Sequence, residues 1–328
     1  MKEKVLITGA SGFVGYHLLV EALQNNLEVY AAVRKNSKVD HLKGLDIKYT
    51  YLDYADIDAL TKEIQEKQYN YIIHGAGVTR AISTAEYDLI NATYTENLAK
   101  AAVQSGVNLK KFVLISSLAA IGPLNDLHGV ITEETRPNPI TAYGKSKLLA
   151  EKKLTAMNGL PYTILRPTAV YGPRDTGIFI FFKTVSKRFE GYIGRGEQRL
   201  SFIYVTDLAK AALRALYSGK QTAYNLSDGN FYDRYQLGLF TRNILAIKTL
   251  KLHIPVNFMR LIAGISEKIS SFKRTAPILN LEKLEELTAA NWFCSIELAK
   301  RDLGYHPHYM LEDGLRETLT WYRDNKWI

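Results

Sequence analysis

Val5-Leu6-Ile7-Thr8-Gly9-Ala10-Ser11-Gly12-Phe13-Val14-Gly15 opens the chain, and its reading decides the fold. Three consecutive apolar residues predict a buried strand, and the apolar spacing over Phe13–Gln24 predicts a helix. Between them the chain must turn sharply, which glycine permits. The same turn lets a dinucleotide pyrophosphate approach main-chain N–H groups at the positive end of a helix. Gly9, Ser11, Gly12, Phe13, Val14 and Gly15 are thus the expected cofactor loop. The spacing is GxxGxxG rather than GxGxxG, which selects one branch of dinucleotide-binding chains.

Outward from that loop, short apolar runs alternate with amphipathic stretches. Strands are expected at residues 29–33, 47–52, 71–73, 112–115 and 162–165, and helices at 56–65, 85–104 and 142–157. This alternation predicts an α/β fold with a Rossmann-type, doubly wound parallel sheet. The rhythm breaks near Gly172. The division expected is a nucleotide-binding core over 1–172 and a smaller C-terminal α/β substrate region over 173–328, with segments near 200–217 returning to the core. The segment 177–182 is read as the start of a buried helix or as an apolar wall of the substrate pocket.

Composition narrows the setting. The 328 residues are 47% hydrophobic and 23% charged, which excludes a disordered or collagen-like chain. A net charge of +9 fits nucleic acid, an anionic membrane surface, or an anionic cofactor or substrate. No nucleic-acid motif accompanies it, so small-molecule chemistry is the expectation. One cysteine, Cys294, leaves no disulfide framework or thiolate zinc cluster and fits a reducing compartment. His306 and His308 stand without carboxylate or cysteine company, so no metal is expected. With no secretory signal and no apolar run of spanning length, the expected location is the cytoplasm.

Cofactor selectivity is read from the end of the second strand, Ala32-Val33-Arg34-Lys35. Val33 stands where an acidic residue would take the ribose hydroxyls of NAD, and Arg34 can hold a 2′-phosphate by charge-assisted hydrogen bonds. NADP is therefore expected, with NAD as the alternative. Asp53, closing the third strand, is a candidate acceptor for the adenine amino group.

Tyr143-Gly144-Lys145-Ser146-Lys147 places a tyrosine and a lysine four residues apart, on one helix face. A neighbouring cation would lower the phenol pKa from its ordinary value of about 10, so that Tyr143 exchanges a proton near neutral pH. The strand over 112–115 ends in Ser116-Ser117, where a hydroxyl can hold the substrate oxygen.

In ordered sequence these motifs resemble the extended short-chain dehydrogenase/reductase, or NAD-dependent epimerase/dehydratase, family. The resemblance includes Thr8 to Gly15, the YxxxK pair, Ile72-Ile73-His74-Gly75-Ala76-Gly77, Asn91 to Leu98, Leu165 to Pro173, and Phe202 to Ala209. It implies Tyr143 as general acid/base, Lys147 on the nicotinamide ribose, and Ser117, five residues before Gly122, as the substrate-orienting hydroxyl. It further implies cofactor contacts from Tyr54, Ala76, Pro167 and Val170, and substrate contacts from Thr79, Ser117, Arg174 and Arg199. The chemistry implied is hydride transfer to or from a secondary alcohol or ketone.

Two departures bear on the substrate. Ala169 stands where many sugar-nucleotide epimerases carry asparagine, and Arg199 lies one residue off the usual diphosphate-gripping place. The leading expectation is an NADP(H)-dependent oxidoreductase. A nucleotide-sugar epimerase or dehydratase with recycled NAD is the alternative. A third possibility, a non-catalytic dinucleotide-binding sensor or assembly subunit, is opposed by the presence of Ser117, Tyr143 and Lys147 together. A homodimer through the helices near 85–104 and 142–157 would match the family's habit.

The segment 248–274 has six Lys/Arg, one acid, and apolar residues at helical spacing. It reads either as a core-packing helix with a solvated basic face or as an amphipathic helix for an anionic membrane or a lipid-like substrate.

Overall fold

The computed structural model describes residues 2–273, 275–277 and 279–328. Alternation carries the first half: β1 (Lys4–Thr8), α1 (Phe13–Gln24), β2 (Glu28–Ala32), β3 (Ile47–Thr50), α2 (Ile57–Lys67) and β4 (Tyr71–His74) follow in turn. Then come a short α3 (Thr84–Tyr87), α4 (Tyr94–Gln104), β5 (Lys111–Ile115), α5 (Ala142–Thr155), β6 (Tyr162–Pro167) and β7 (Ala169–Tyr171). The single helix expected over 85–104 is instead two, joined through a π-turn at Asp88–Thr93. Such turns insert an extra residue into the helical repeat and re-aim a side chain, here Asn91.

The rest comprises α6 (Phe179–Ser186), β8 (Phe189–Ile193), β9 (Phe202–Tyr204), α7 (Val205–Tyr217), β10 (Ala223–Leu226), α8 (Gln236–Leu245) and β11 (Leu250–Ile254). It closes with α9 (Val256–Lys273), α10 (Leu281–Thr288), α11 (Glu297–Leu303) and α12 (Leu311–Asp324).

Seven strands form one parallel sheet in the order β10-β6-β5-β4-β1-β2-β3. Its strands read as near-continuous apolar runs because helices cover both faces. Val5, Ile7, Val113 and Leu165 point toward α1 and α7, while Leu6, Ile72, Leu114 and Ile164 point toward α2, α4 and α5. Strand order reverses between β1 and β4, which opens a crevice at the carboxyl ends of the strands. The return of the C-terminal half to the sheet runs through α7 and on to β10, with α11 packed beside them. What remains is a cap of α6, α8 and α12 with the parallel pair β8–β11, built around Tyr171, Phe182, Leu315 and Tyr322. Residues 179–186 are helical, with Phe182 and Val185 buried. Cys294 is buried beside Leu118, Ile121 and Ile131.

Candidate active site

The turn after β1 is fixed by close packing. Gly9 has φ +69°, and a Cβ there would stand 2.6 Å from the Gly75 carbonyl oxygen; a Cβ on Gly15 would collide with the carbonyl of Gly9. α1 therefore starts directly above the ends of β1 and β4. Its N-cap, Gly12, supplies no side-chain acceptor, and the first turn holds no acid. Phe13, Val14 and Gly15 lie on this first turn, with Ser11 half-buried just before it. A short uncapped cradle of this kind fits the pyrophosphate of a dinucleotide.

The other cofactor candidates spread along the same edge. Arg34 is exposed at the end of β2, its backbone N–H held by the Ser37 hydroxyl at 3.1 Å. Asp53 is exposed, and one of its oxygens accepts the Ala55 N–H at 3.0 Å. Tyr54 packs inward, its ring stacked on Tyr94 at 5.7 Å. Pro167 ends β6 in register with Leu226, and Val170 pairs with Ile203.

Beneath the crevice His74 is held by a polar chain whose proton positions follow from geometry. The Thr95 hydroxyl donates to the Asn91 carbonyl at 2.7 Å, so at its 3.0 Å contact with His74 it accepts, and Nε2 carries the proton. Nδ1 then accepts from the Thr8 hydroxyl at 2.8 Å, whose oxygen accepts the Ala76 N–H at 3.1 Å. Burial, with the Lys147 charge adding to it, pushes the His74 pKa down to about 3. The ring is neutral, and it ties β1, β4 and α4 together.

The inner face of α5 presents Tyr143, Lys147 and Glu151 on successive turns, against the last residue of β5 and the two serines that follow it. Lys147 Nζ donates to the Ile115 carbonyl at 2.7 Å. Ser116 Oγ donates to Glu151, which also accepts a bidentate grip from Arg166, Nη2 to Oε2 at 2.6 Å. Tyr143 comes beside Ser117, because Gly144 lets the first turn close on the Ala119 carbonyl; a Cβ would collide there. Thr141 caps this helix by accepting the Gly144 N–H at 3.0 Å, and Glu282 of α10 accepts the Ala142 N–H at 2.7 Å.

Tyr143 is half-buried among Val78, Ala81, Tyr87 and Ala142. Burial pushes its pKa up to about 12, opposed by the Ser117 hydroxyl. The direction is opposite to the lowering expected from the YxxxK spacing, because burial outweighs the hydrogen bond from Ser117; the Lys147 ammonium donates to the Ile115 carbonyl. Lys147 itself is pushed down to about 8 by burial, with Glu151 acting the other way.

Three of the substrate candidates, Thr79, Arg174 and Arg199, have quite different neighbours. Thr79 is exposed near Tyr87, which donates to its carbonyl at 3.2 Å. Arg174, at φ +75°, stacks 4.1 Å over the Tyr16 ring of α1 and 5.5 Å from Trp321, on the flank of the cofactor loop. Arg199 lies 3.7 Å over Phe231 and 4.8 Å from Phe293, with Nη1 donating to the Leu127 carbonyl at 2.7 Å.

Sequence reasoning passed over several members of this network. His74 was visible only inside a motif. Asn91 binds both the N–H and carbonyl of Val78 and donates to Ser146 Oγ at 2.9 Å; Ser146 in turn donates to the Tyr143 carbonyl at 2.8 Å. Glu151 could have been found from its four-residue spacing after Lys147. Among the described residues no cluster of His, Cys, Asp and Glu suited to a metal occurs.

Comparison with known proteins adds the lineage. Residues 5–227 match the model of the NAD dependent epimerase/dehydratase family. A sterol-4-alpha-carboxylate 3-dehydrogenase (decarboxylating) of Saccharomyces cerevisiae is 27% identical over 97% of this chain and 97% of its own length. A UDP-glucose 4-epimerase of Vibrio cholerae is likewise 27% identical, over 97% of this chain and 95% of its own. Among solved structures, the UDP-glucose 4-epimerase of Thermotoga maritima with UDP-glucose superimposes with a TM-score of 0.80 at 22% identity, covering 98% of this chain and 99% of that one.

Proposed function

The chain belongs to the NAD-dependent epimerase/dehydratase family, and from that premise we propose that it reduces a ketone, or oxidises the corresponding secondary alcohol, with NADP(H). The observation that carries this reading is the three-turn face of α5, which sets Tyr143 beside Ser117 at the carboxyl edge of the sheet next to the glycine cradle. When bound, the cofactor supplies or accepts the hydride.

The chain's own residues do the rest. The N–H groups at the start of α1 hold the pyrophosphate, and Lys147 reaches the nicotinamide ribose. Ser117 orients the substrate oxygen by hydrogen bonding. Tyr143 keeps its proton at neutral pH and gives it to that oxygen as it becomes an alkoxide. Arg34, with Val33 in place of an acid, favours the 2′-phosphate of NADP.

A nucleotide-sugar epimerase is the second reading, favoured by the identity to the Vibrio cholerae enzyme. Against it, Arg199 is held between two aromatic rings and a carbonyl, and Arg174 is stacked on Tyr16 of α1. A thermal-shift screen with NADPH, run against steroids, small ketones and nucleotide sugars, tests the two. Stabilisation by ketones or steroids supports the reductase, whereas stabilisation by UDP or dTDP alone would replace it with the epimerase.

A further inference from the structure

Helix α9 is built inside out. Phe258, Leu261, Ile262, Ile265, Ile269 and Phe272 fall on a single arc of roughly 100° at helical spacing. All six are exposed, from 38% at Ile262 to 92% at Phe272. The side turned inward carries Val256 and Met259 in its first turns and is otherwise small and polar: Ala263 is buried, and Val256, Met259, Gly264, Ser266, Glu267 and Ser270 are half-buried. A core-packing helix with a solvated basic face would show the opposite arrangement, so that expectation is overturned by the structure.

Charge says what kind of surface covers the arc. Lys248, Lys251, Arg260, Lys268 and Lys273 lie in or just before the helix, and the sixth cation, Arg274, lies outside the described residues. At 100° per residue, Lys268 and Lys273 flank the two edges of the apolar arc. The one acid in this stretch, Glu267, is committed: its Oε1 accepts the Leu281 N–H at the start of α10 at 2.8 Å. A second copy laid on this face would bring cationic rims together, and the helix itself offers no uncommitted acid to pair them. An anionic lipid surface answers both features, taking the apolar side chains while the lysine stems run along it to the headgroups.

We infer that α9 is an interfacial helix that lies in the plane of an anionic bilayer with its apolar arc inserted. It does not cross, since no helix among the described residues is long and apolar enough to span a membrane. Its packing joins it to the site: α9 caps α10 through Glu267, and α10 caps α5 through Glu282. A docked protein therefore carries its crevice one helix from the lipid. The inference stands on the surface alone and is independent of the reaction proposed above.

The test is co-sedimentation of the full chain with phosphatidylcholine vesicles, with and without phosphatidylglycerol, at low and high salt. The wild-type protein is expected to pellet with the phosphatidylglycerol vesicles and to be released by salt. The triple variant Leu261→Ser, Ile265→Ser, Ile269→Ser should lose about tenfold or more in partitioning, since binding scales with buried apolar area. Lys268→Glu with Lys273→Glu should abolish the preference for phosphatidylglycerol. Unchanged circular dichroism keeps the variants interpretable, because every substituted side chain is exposed. Absence of wild-type protein from the phosphatidylglycerol pellet overturns the inference. So does retention that the triple variant leaves intact, or a dimer that the triple variant dissociates without any vesicle binding.

Discussion

Helices α5 and α9 break the ordinary rule of burial in opposite directions. α5 hides Lys147 and Glu151 and half-hides Tyr143; α9 displays Phe258, Leu261, Ile265 and Phe272 to solvent. A buried charge is costly unless paired, and an exposed apolar stripe is unexplained unless something covers it. In α5 the cost is offset inside the fold, by the Ile115 carbonyl, Ser116 and Arg166. In α9 the inner face holds Val256, Met259 and small residues beside α10, and the inference above takes the compensation from outside the fold. Under the roles proposed above, inverted burial marks function in both helices, satisfied within the fold in one and by the bilayer in the other.

The sharpest way to break the α5 side of this contrast is Tyr143→Phe. Turnover should fall by roughly 10²–10⁴-fold, the usual worth of a positioned proton donor. Unchanged steady-state rates on every accepted substrate would make its half-buried phenol merely structural. Next in size is Glu151→Ala, which strands Arg166 in the interior; urea unfolding should register a loss of about 3–5 kcal/mol.

A pH titration of stability sharpens the same side. The native His74 pKa, about 3, lies below its unfolded value. The unfolded chain therefore binds the extra proton between about 6.5 and 3, and stability falls as pH drops through that window, by at most about 1.4 kcal/mol per unit. Lys147, at about 8 in the fold, has the same sign at higher pH: stability rises between about 8 and 10.4. Urea midpoints across both windows check this, and His74→Asn should flatten the acid one.

Arg34→Ala should weaken NADPH binding by about 10- to 100-fold, the worth of a charge-assisted hydrogen bond, while leaving NADH binding unchanged. Dissociation constants for both cofactors decide it. The smallest expected effect is on α9, where Leu261→Gln should change stability by no more than about 0.5 kcal/mol. A loss of several kcal/mol on urea unfolding would mean that the fold itself covers this arc, and the contrast would fail.

Much of the parallel sheet could be read in the sequence, because strands buried on both faces appear as continuous apolar runs and the glycine turn can stand only between β1 and α1. That Tyr143 and Lys147 share a face was legible for a related reason, since residues four apart on a helix do so, whereas Ser117 came only from its offset before Gly122 in the family resemblance. The electrostatics of the pair were not legible. Spacing puts Lys147 near Tyr143 but does not say how far the phenol is buried, so the direction of its shift came out reversed. Arg174 and Arg199 were placed by motif position, which carries no information about the rings they stack on. Residues 258–272 show periodicity plainly, yet periodicity is blind to which face turns inward; that depends on Glu267 reaching α10, a contact between segments.

The lone thiol has a practical consequence. Cys294 lies wholly buried, and burial pushes its pKa up to about 12, so it is poorly suited to react with alkylating reagents. The native chain is therefore a dark background for site-directed probes. A cysteine introduced by Phe272→Cys would take a fluorophore or spin label alone, and its signal would report directly on the depth that this end of α9 reaches.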